Sequence, residues 1–336
     1  TLFRSVTPTN PSVCAGSSVV LTASGANVGY SWYTGVAPSW SPFWPGVSIT
    51  VSPPATTTYG VIGTDLNGCS DTTYDTVIVN PIPSSSFSFA PNPVCAGFAS
   101  VITYTGGASA GATYNWVFNG GNPSTGNTQG PNNVTWSSAG NYNVSLTVTE
   151  NNCTSPTTTN SINVKPIPSS SFIVTTPICQ GASGTITYTG GSPTSATYNW
   201  SFPGGSPSTA NTQGPQNITY NGTGTQNITL SVTDSGCTSP LTQMTLYVTQ
   251  TPTSNFTLPA NICFGQPASA TYTGNAAPTA TYGWVVNNLA TMNPGGTSQG
   301  PQALTFPVAN QTYTVTLTVS DSNCVSTQSS SNRFFN

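Results

Sequence analysis

Trp32, Trp116, Trp200 and Trp284 stand 84 residues apart, and the residues around the last three nearly repeat. Ala112-Thr113-Tyr114-Asn115-Trp116-Val117-Phe118 returns as Ala196-Thr197-Tyr198-Asn199-Trp200-Ser201-Phe202 and as Ala280-Thr281-Tyr282-Gly283-Trp284-Val285-Val286, with Tyr30-Ser31-Trp32-Tyr33 at the corresponding place in the first repeat. A fixed period of this length belongs to a chain built of repeated units, each large enough to bury a core of its own. The 336 residues divide accordingly into four domains, 1–80, 81–165, 166–250 and 251–336.

Within each unit the pattern is that of strands. Tyr142, Val144, Leu146 and Val148 alternate with polar residues, as do Ile228, Leu230 and Val232, and Tyr313, Val315, Leu317 and Val319. Strict alternation describes a half-buried antiparallel strand with one wet face. A second aromatic, at Trp136, Tyr220 and Phe306, follows a Gln-Gly-Pro turn that begins at positions 129, 213 and 299. No segment shows the helical period. About seven short strands per unit, separated by turns, are most economically closed as a β-sandwich, in which Trp32, Trp116, Trp200 and Trp284 plug the space between the sheets. The glycine pairs at 106–107, 120–121, 190–191 and 204–205 precede neither a helix nor a lysine and read as turns, not as a phosphate cradle. The joints, Pro81-Ile82-Pro83-Ser84-Ser85-Ser86 and its counterparts at 166–171 and 251–255, carry proline and lack glycine, which predicts semi-rigid connections and an elongated rod of four beads.

Charge narrows the function. Three Lys or Arg, six Asp or Glu and no His leave a surface dependent on Thr, Ser, Asn and Gln for its polarity. Nucleic-acid binding runs on clustered basic residues, and here Arg4, Lys165 and Arg333 are scattered singly, so neither nucleic acid nor an anionic membrane surface is an expected partner. No run of about 18 apolar residues occurs, so no apolar helix is expected to insert in a bilayer. Without His, nucleophilic catalysis lacks its usual base, and Asp71 and Asp75 are the one close carboxylate pair, so no enzyme activity and no cofactor are expected. A surface with so little charge repulsion favours association between copies, so the leading expected partner is the chain itself. A first residue of Thr1 instead of Met suggests a processed mature form.

Eight cysteines fall two to a unit: Cys14 and Cys69, Cys95 and Cys153, Cys179 and Cys237, Cys263 and Cys324. The pairs recur at matching places, so the expectation is four disulfides within the units, Cys14–Cys69, Cys95–Cys153, Cys179–Cys237 and Cys263–Cys324. Structural zinc would need about four Cys or His ligands per site. Disulfides place the protein outside the reducing cytoplasm, extracellular or at a cell surface, and closing each loop would stabilise a unit by about 4 kcal/mol in the loop-entropy model.

The Tyr-x-Trp-x-Phe-x-Gly-Gly stretch of the second repeat, followed by Gly140-Asn141-Tyr142-Asn143-Val144-Ser145-Leu146-Thr147-Val148, resembles the PKD domain, an immunoglobulin-like sandwich of extracellular proteins, and the likeness extends over residues 81–336. The acidic end of that family's Trp-Asp-Phe-Gly-Asp-Gly motif is replaced here by Val117 or Ser201 after the Trp and by Asn119 or Pro203 before the glycines. Residues 1–80, through Cys14-Ala15-Gly16, Thr56-Thr57-Thr58-Tyr59 and Asp65-Leu66-Asn67-Gly68-Cys69, are similar to immunoglobulin-like modules of secreted surface proteins of Bacteroidetes. The resemblance implies four tandem immunoglobulin-like (PKD-like) β-sandwiches in an exported protein, and implies no ligand.

The candidate sites are few. Asp65, Glu150, Asp234 and Asp321 each precede the second cysteine of a unit; one acid per repeat is too few for calcium, so these read as hairpin residues and no metal site is expected. Thr72 and Thr76 stand in Asp-Thr-Thr and Asp-Thr-Val, which resemble bacterial O-glycosylation sites. Trp40, Phe43 and Trp44, in a proline-stiffened loop found only in the first repeat, form a candidate interface or glycan-binding patch, with packing on the domain's own edge as the competing role. These observations together predict a secreted structural protein, a subunit of an extracellular filament or surface layer. The alternatives are an adhesive stalk or spacer of a larger surface protein, or a carbohydrate-binding module.

Overall fold

The computed structural model describes residues 5–37, 43–260, 262, 265–287, 290–293 and 296–335. All regular structure in them is β-strand, as the alternation in the sequence requires. The chain gathers into two compact units, Thr1–Pro166 and Ile167–Asn336, each containing two of the repeats.

In the first unit, the leading sandwich faces a three-stranded sheet, Ser5–Thr7, Val19–Ser24 and Ser48–Val51, against a five-stranded one. The larger sheet runs Ser12–Cys14, Ser70–Asn80, Thr57–Thr64, Gly29–Thr34, Phe43–Pro45. The second sandwich repeats this plan. Its larger sheet is centred on the 11-residue strand Gly140–Glu150, flanked by Thr113–Phe118 and Thr158–Lys165, and its smaller sheet is Asn132–Thr135, Ala99–Tyr104 and Phe87–Ala90. In the second unit the corresponding central strands are Gly224–Asp234 and Gln311–Asp321. In three repeats a short strand that carries the first cysteine lies parallel to the end of the last long strand, pairing Cys14 with Asn80, Cys95 with Lys165 and Cys179 with Thr249.

Each sandwich closes around the tryptophan on which the period is built. Trp32, Trp116 and Trp200 are wholly buried and Trp284 nearly so. Trp116 packs edge-on to Phe87 with ring centroids 5.2 Å apart and stacks on Phe118 at 5.7 Å; Trp200 repeats this with Phe172 and Phe202, and Trp284 meets Phe256 edge-on at 5.1 Å. A buried indole needs a partner for its N–H. Nε1 donates to the carbonyl oxygens of Gly46, Thr128, Thr212 and Ser298 in the four repeats, at 2.9 to 3.1 Å. The tryptophan therefore packs the core and also ties down the loop that crosses it.

The joints are fastened by one serine and one tyrosine. Ser85, Ser170 and Ser254 are buried, and their hydroxyls donate to the carbonyls of Pro156, Pro240 and Thr327. Tyr104, Tyr188 and Tyr272 donate to the carbonyls of Ser84, Ser169 and Thr253, and each phenol oxygen accepts a second bond, from the N–H of Ala108, Ser192 or Ala276. Every polar serine run is thus bonded to the sandwich that follows it.

Candidate functional site

The cysteines depart from the expected pattern. Cys14 is bonded to Cys153, and Cys179 to Cys324, with Cα atoms 5.5 and 5.6 Å apart. Each bond joins one sandwich to the next within a unit. The expected Cys14–Cys69, Cys95–Cys153 and Cys179–Cys237 bonds are therefore absent, and Cys263–Cys324 is precluded because Cys324 is taken; Cys263 itself lies outside the described residues. Cys95 and Cys237 are also disulfide-bonded, whereas Cys69 is free and exposed.

Strand geometry supplies the reason. In the second repeat Cys95 pairs with Lys165, beside the position where Val164 faces Gly140 at the start of the long strand, while Cys153 faces Glu150 at its other end. Eleven residues at roughly 3.3 Å each put these two cysteines about 36 Å apart, far beyond the roughly 7 Å that a disulfide spans between Cα atoms. Cys14 and Cys179, each at one end of its sandwich, accordingly meet the second cysteine of the sandwich that follows.

Those second cysteines ride on hairpin tips whose shape is set by the turn residues. Asn151 and Asn152 have φ of 48° and 61°, Ser235 and Gly236 52° and 84°, Ser322 and Asn323 50° and 64°. Two consecutive positive φ values define the type I′ turn, which asparagine and glycine tolerate best. The first repeat makes a longer turn. There Asp65 Oδ1 accepts the N–H groups of Asn67 and Cys69, both at 2.9 Å, and the N–H of Asp65 donates to the carbonyl of Cys69 at 3.0 Å. In the second repeat Glu150 serves an adjacent loop: bonds from the Ser109 hydroxyl and then from its N–H hold the carboxyl below its ordinary value of 4.5. The tip also touches the preceding sandwich, where Asn80 Nδ2 donates to the carbonyl of Asn151 at 3.3 Å. The four acids act as hairpin and loop residues, and no cluster of three or more His, Cys, Asp or Glu suited to a metal occurs among the described residues.

The other candidates are dispersed. Trp40 lies outside the described residues, and Phe43 opens the short strand Phe43–Pro45. Trp44 pairs in register with Trp32 and is 37% exposed. It lines an open groove of about 560 Å³ with Thr34, Pro45, Pro53, Pro54 and Tyr59. Thr72 stands half-buried in the strand Ser70–Asn80, and Thr76 shares a hydrogen bond of 2.9 Å with Thr58 on the neighbouring strand. Sequence reasoning missed Pro53 and Pro54, which follow the strand Ser48–Val51 and complete the groove; their adjacency to Trp44 is a matter of tertiary packing that no local pattern announces.

Comparison with known domain families agrees with this architecture. Residues 4–81 match the Ig-like domain CHU_C associated, and residues 88–163 match the PKD domain. The chain is thus a tandem array that includes immunoglobulin-like and PKD domains, modules that are typical of extracellular adhesin and stalk segments and are in general non-catalytic. No curated protein matches its sequence. Among solved structures it is similar to an I-band fragment of titin, with 12% identity and a TM-score of 0.41 over 74% of this chain and 98% of that one. It is similar also to the N-terminal eight immunoglobulin domains of the Down syndrome cell adhesion molecule, at 11% identity and a TM-score of 0.37 over 98% of this chain and 48% of that one. A structure from a 1.5-MDa bacterial ice-binding adhesin shares 16% identity, with a TM-score of 0.34 over 74% of this chain and 98% of that one.

Proposed function

We propose that the chain is a secreted structural protein whose copies associate into an extracellular filament or surface layer. The observation that carries this reading is the placement of the Cys14–Cys153 and Cys179–Cys324 disulfides, which tie successive sandwiches to one another. Bonds within a sandwich would protect its fold; bonds between sandwiches instead restrain the joint, which is what an element under tension needs. The nine charged residues in 336 support the same reading, since a surface with so little charge offers little repulsion between copies. Light scattering and electron microscopy of native material test it: multimers are expected at micromolar concentration, and a stable monomer there removes it.

A second reading rests on the groove beside Trp44. Its exposed indole, two prolines and the hydroxyl of Thr50 would suit stacking and hydrogen bonding to a sugar ring. Glycan-array binding that is lost in Trp44→Ala supports it, and binding that is absent in the native protein ends it.

A further inference from the structure

The indole platform at Trp44 belongs to the first sandwich and is not demanded by the fold. In each of the first three repeats the strand that carries the core tryptophan pairs with a short strand after it: Trp32 faces Trp44 in register, Trp116 faces Gly126 and Trp200 faces Ala210. A sandwich of this plan therefore closes with a glycine or an alanine at that position. Trp44 is also firmly placed. The crossing that follows its strand is fixed at Gly46, whose N–H donates to the carbonyl of Tyr30 at 3.0 Å and whose carbonyl accepts Nε1 of the buried Trp32 at 2.9 Å. Phe43–Pro45 is the outermost strand of the five-stranded sheet and Ser48–Val51 that of the three-stranded sheet, so the groove lined from both strands lies at an open edge of the sandwich. Buried Ile49, Val51 and Tyr59 make its floor, and Thr50 and Ser52 stand exposed beside them.

The lining selects among possible occupants. Pro45, Pro53 and Pro54 withhold N–H donors from this edge, which blunts it against an added β-strand. No charged side chain occurs among the described residues that line the groove, and burial pushes the Tyr59 phenol above its ordinary value of 10.0, so it too stays neutral. Asp75, which pairs in register with Tyr59, is buried, and its Oδ1 accepts the N–H of Asn10 at 2.7 Å. A carboxylate or sulfate seated here would lose water and gain no partner among these residues, a cost that an uncharged ligand avoids. We propose that the groove binds the uncharged pyranose rings of a neutral polysaccharide, stacked on Trp44 and hydrogen-bonded through Thr50 and Ser52, and discriminates against uronic and sulfated sugars. This rests on the sugar-binding reading given above and adds its substrate class and the basis of its selectivity. The apolar face of a pyranose suits an exposed indole, and its hydroxyls need the few polar groups placed beside that platform.

The test is a glycan array carrying neutral and charged oligosaccharides, followed by calorimetric titration of the purified chain with neutral cello-, xylo- and manno-oligosaccharides and with polygalacturonate and chondroitin sulfate fragments. The expected result is binding to at least one neutral series, insensitive to salt because no ion pair forms, and binding about ten-fold or more weaker for every charged series. Trp44→Ala, which copies the residue at this register position in the third repeat, should keep the melting transition and weaken binding by about ten-fold or more. Thr50→Val combined with Ser52→Ala should weaken it by a smaller factor and leave the indole in place. Preference for a uronic or sulfated series overturns this inference and leaves the sugar-binding reading standing. Neutral-sugar binding that survives both variants, a proline-rich peptide bound in place of sugars, or no binding of any sugar overturns both.

Discussion

Cys14 and Cys153 lie 139 residues apart in sequence and are bonded to each other, the one on a short parallel strand of the first sandwich and the other on a hairpin of the second. Each sandwich has its own buried cluster, so neither depends on this bond for a core. Cys153→Ser should therefore leave the melting transition of each module nearly in place, while residues 81–86 become several-fold more susceptible to a broad-specificity protease. Cleavage sites mapped by mass spectrometry check this; unchanged cleavage at the joint would show that the Ser85 and Tyr104 bonds restrain it unaided.

The pairing illustrates what a repeat hides. In a periodic sequence the spacing of cysteines is equally compatible with bonds inside a unit and bonds to the next unit, because both recur at the same period. The Trp116 plug and the alternation from Tyr142 to Val148 were legible because they are local and physical: an inward aromatic and a two-residue period. The choice of cysteine partner depends on which end of the strand Gly140–Glu150 each cysteine occupies. That signal was present in the order of the residues, since Cys153 directly follows the alternating run and Cys95 precedes it by a full sheet crossing. The groove at Trp44 was half legible: the aromatic stood out, but not the prolines that complete it.

Tyr220 occupies the place that Trp136 holds in the preceding repeat. The Trp136 indole donates to the carbonyl of Asn119 at 2.9 Å, whereas the Tyr220 hydroxyl is buried without a hydrogen-bond partner. Burial also pushes that phenol above its ordinary value of 10.0. A buried unsatisfied hydroxyl costs roughly 1–3 kcal/mol, so Tyr220→Phe should stabilise its module by about 1 kcal/mol or more. Trp136→Phe should do the opposite, losing both a satisfied bond and core volume, at a cost of about 2 kcal/mol. Calorimetric unfolding of the two variants reads the sign directly, and a destabilised Tyr220→Phe would show that the hydroxyl has a partner after all.

Gly106, Gly190 and Gly274 lie against the rings of Tyr104, Tyr188 and Tyr272, where an added Cβ would collide with the phenol end of each ring. Those are the phenols that hold the joints at Ser84, Ser169 and Thr253. Gly106→Ala should accordingly displace Tyr104 and cost about 1–3 kcal/mol, the usual range for overpacking. Because the ring must leave the Ser84 carbonyl, residues 81–86 should also lose amide hydrogen-exchange protection. Gly107→Ala is the control, since a Cβ there meets nothing within 4 Å. Equal effects of the two substitutions would place the cost in backbone freedom and not in the tyrosine.

The pH response follows from which groups the chain possesses. Burial holds the phenols of Tyr114, Tyr198 and Tyr282 above 10.0, with Tyr104, Tyr188 and Tyr272 respectively the next contributors. The folded state therefore keeps protons that the unfolded chain surrenders near pH 10. The stability these groups contribute is whole below that pH and is lost as pH rises through their folded-state values. On the acid side Glu150, held below 4.5, contributes above that value and loses its contribution as pH falls through the folded one, but it lies at the solvent-facing end of its strand and its effect is small. The sequence has no histidine, so no side chain with an ordinary imidazole value titrates between these limits. Thermal midpoints should then be flat from about pH 6 to about pH 9 and fall above pH 10, with tyrosinate absorbance rising together with unfolding instead of ahead of it. Tyrosinate signal from Tyr114, Tyr198 and Tyr282 while the fold is intact would show that these phenols reach solvent without the sandwiches opening.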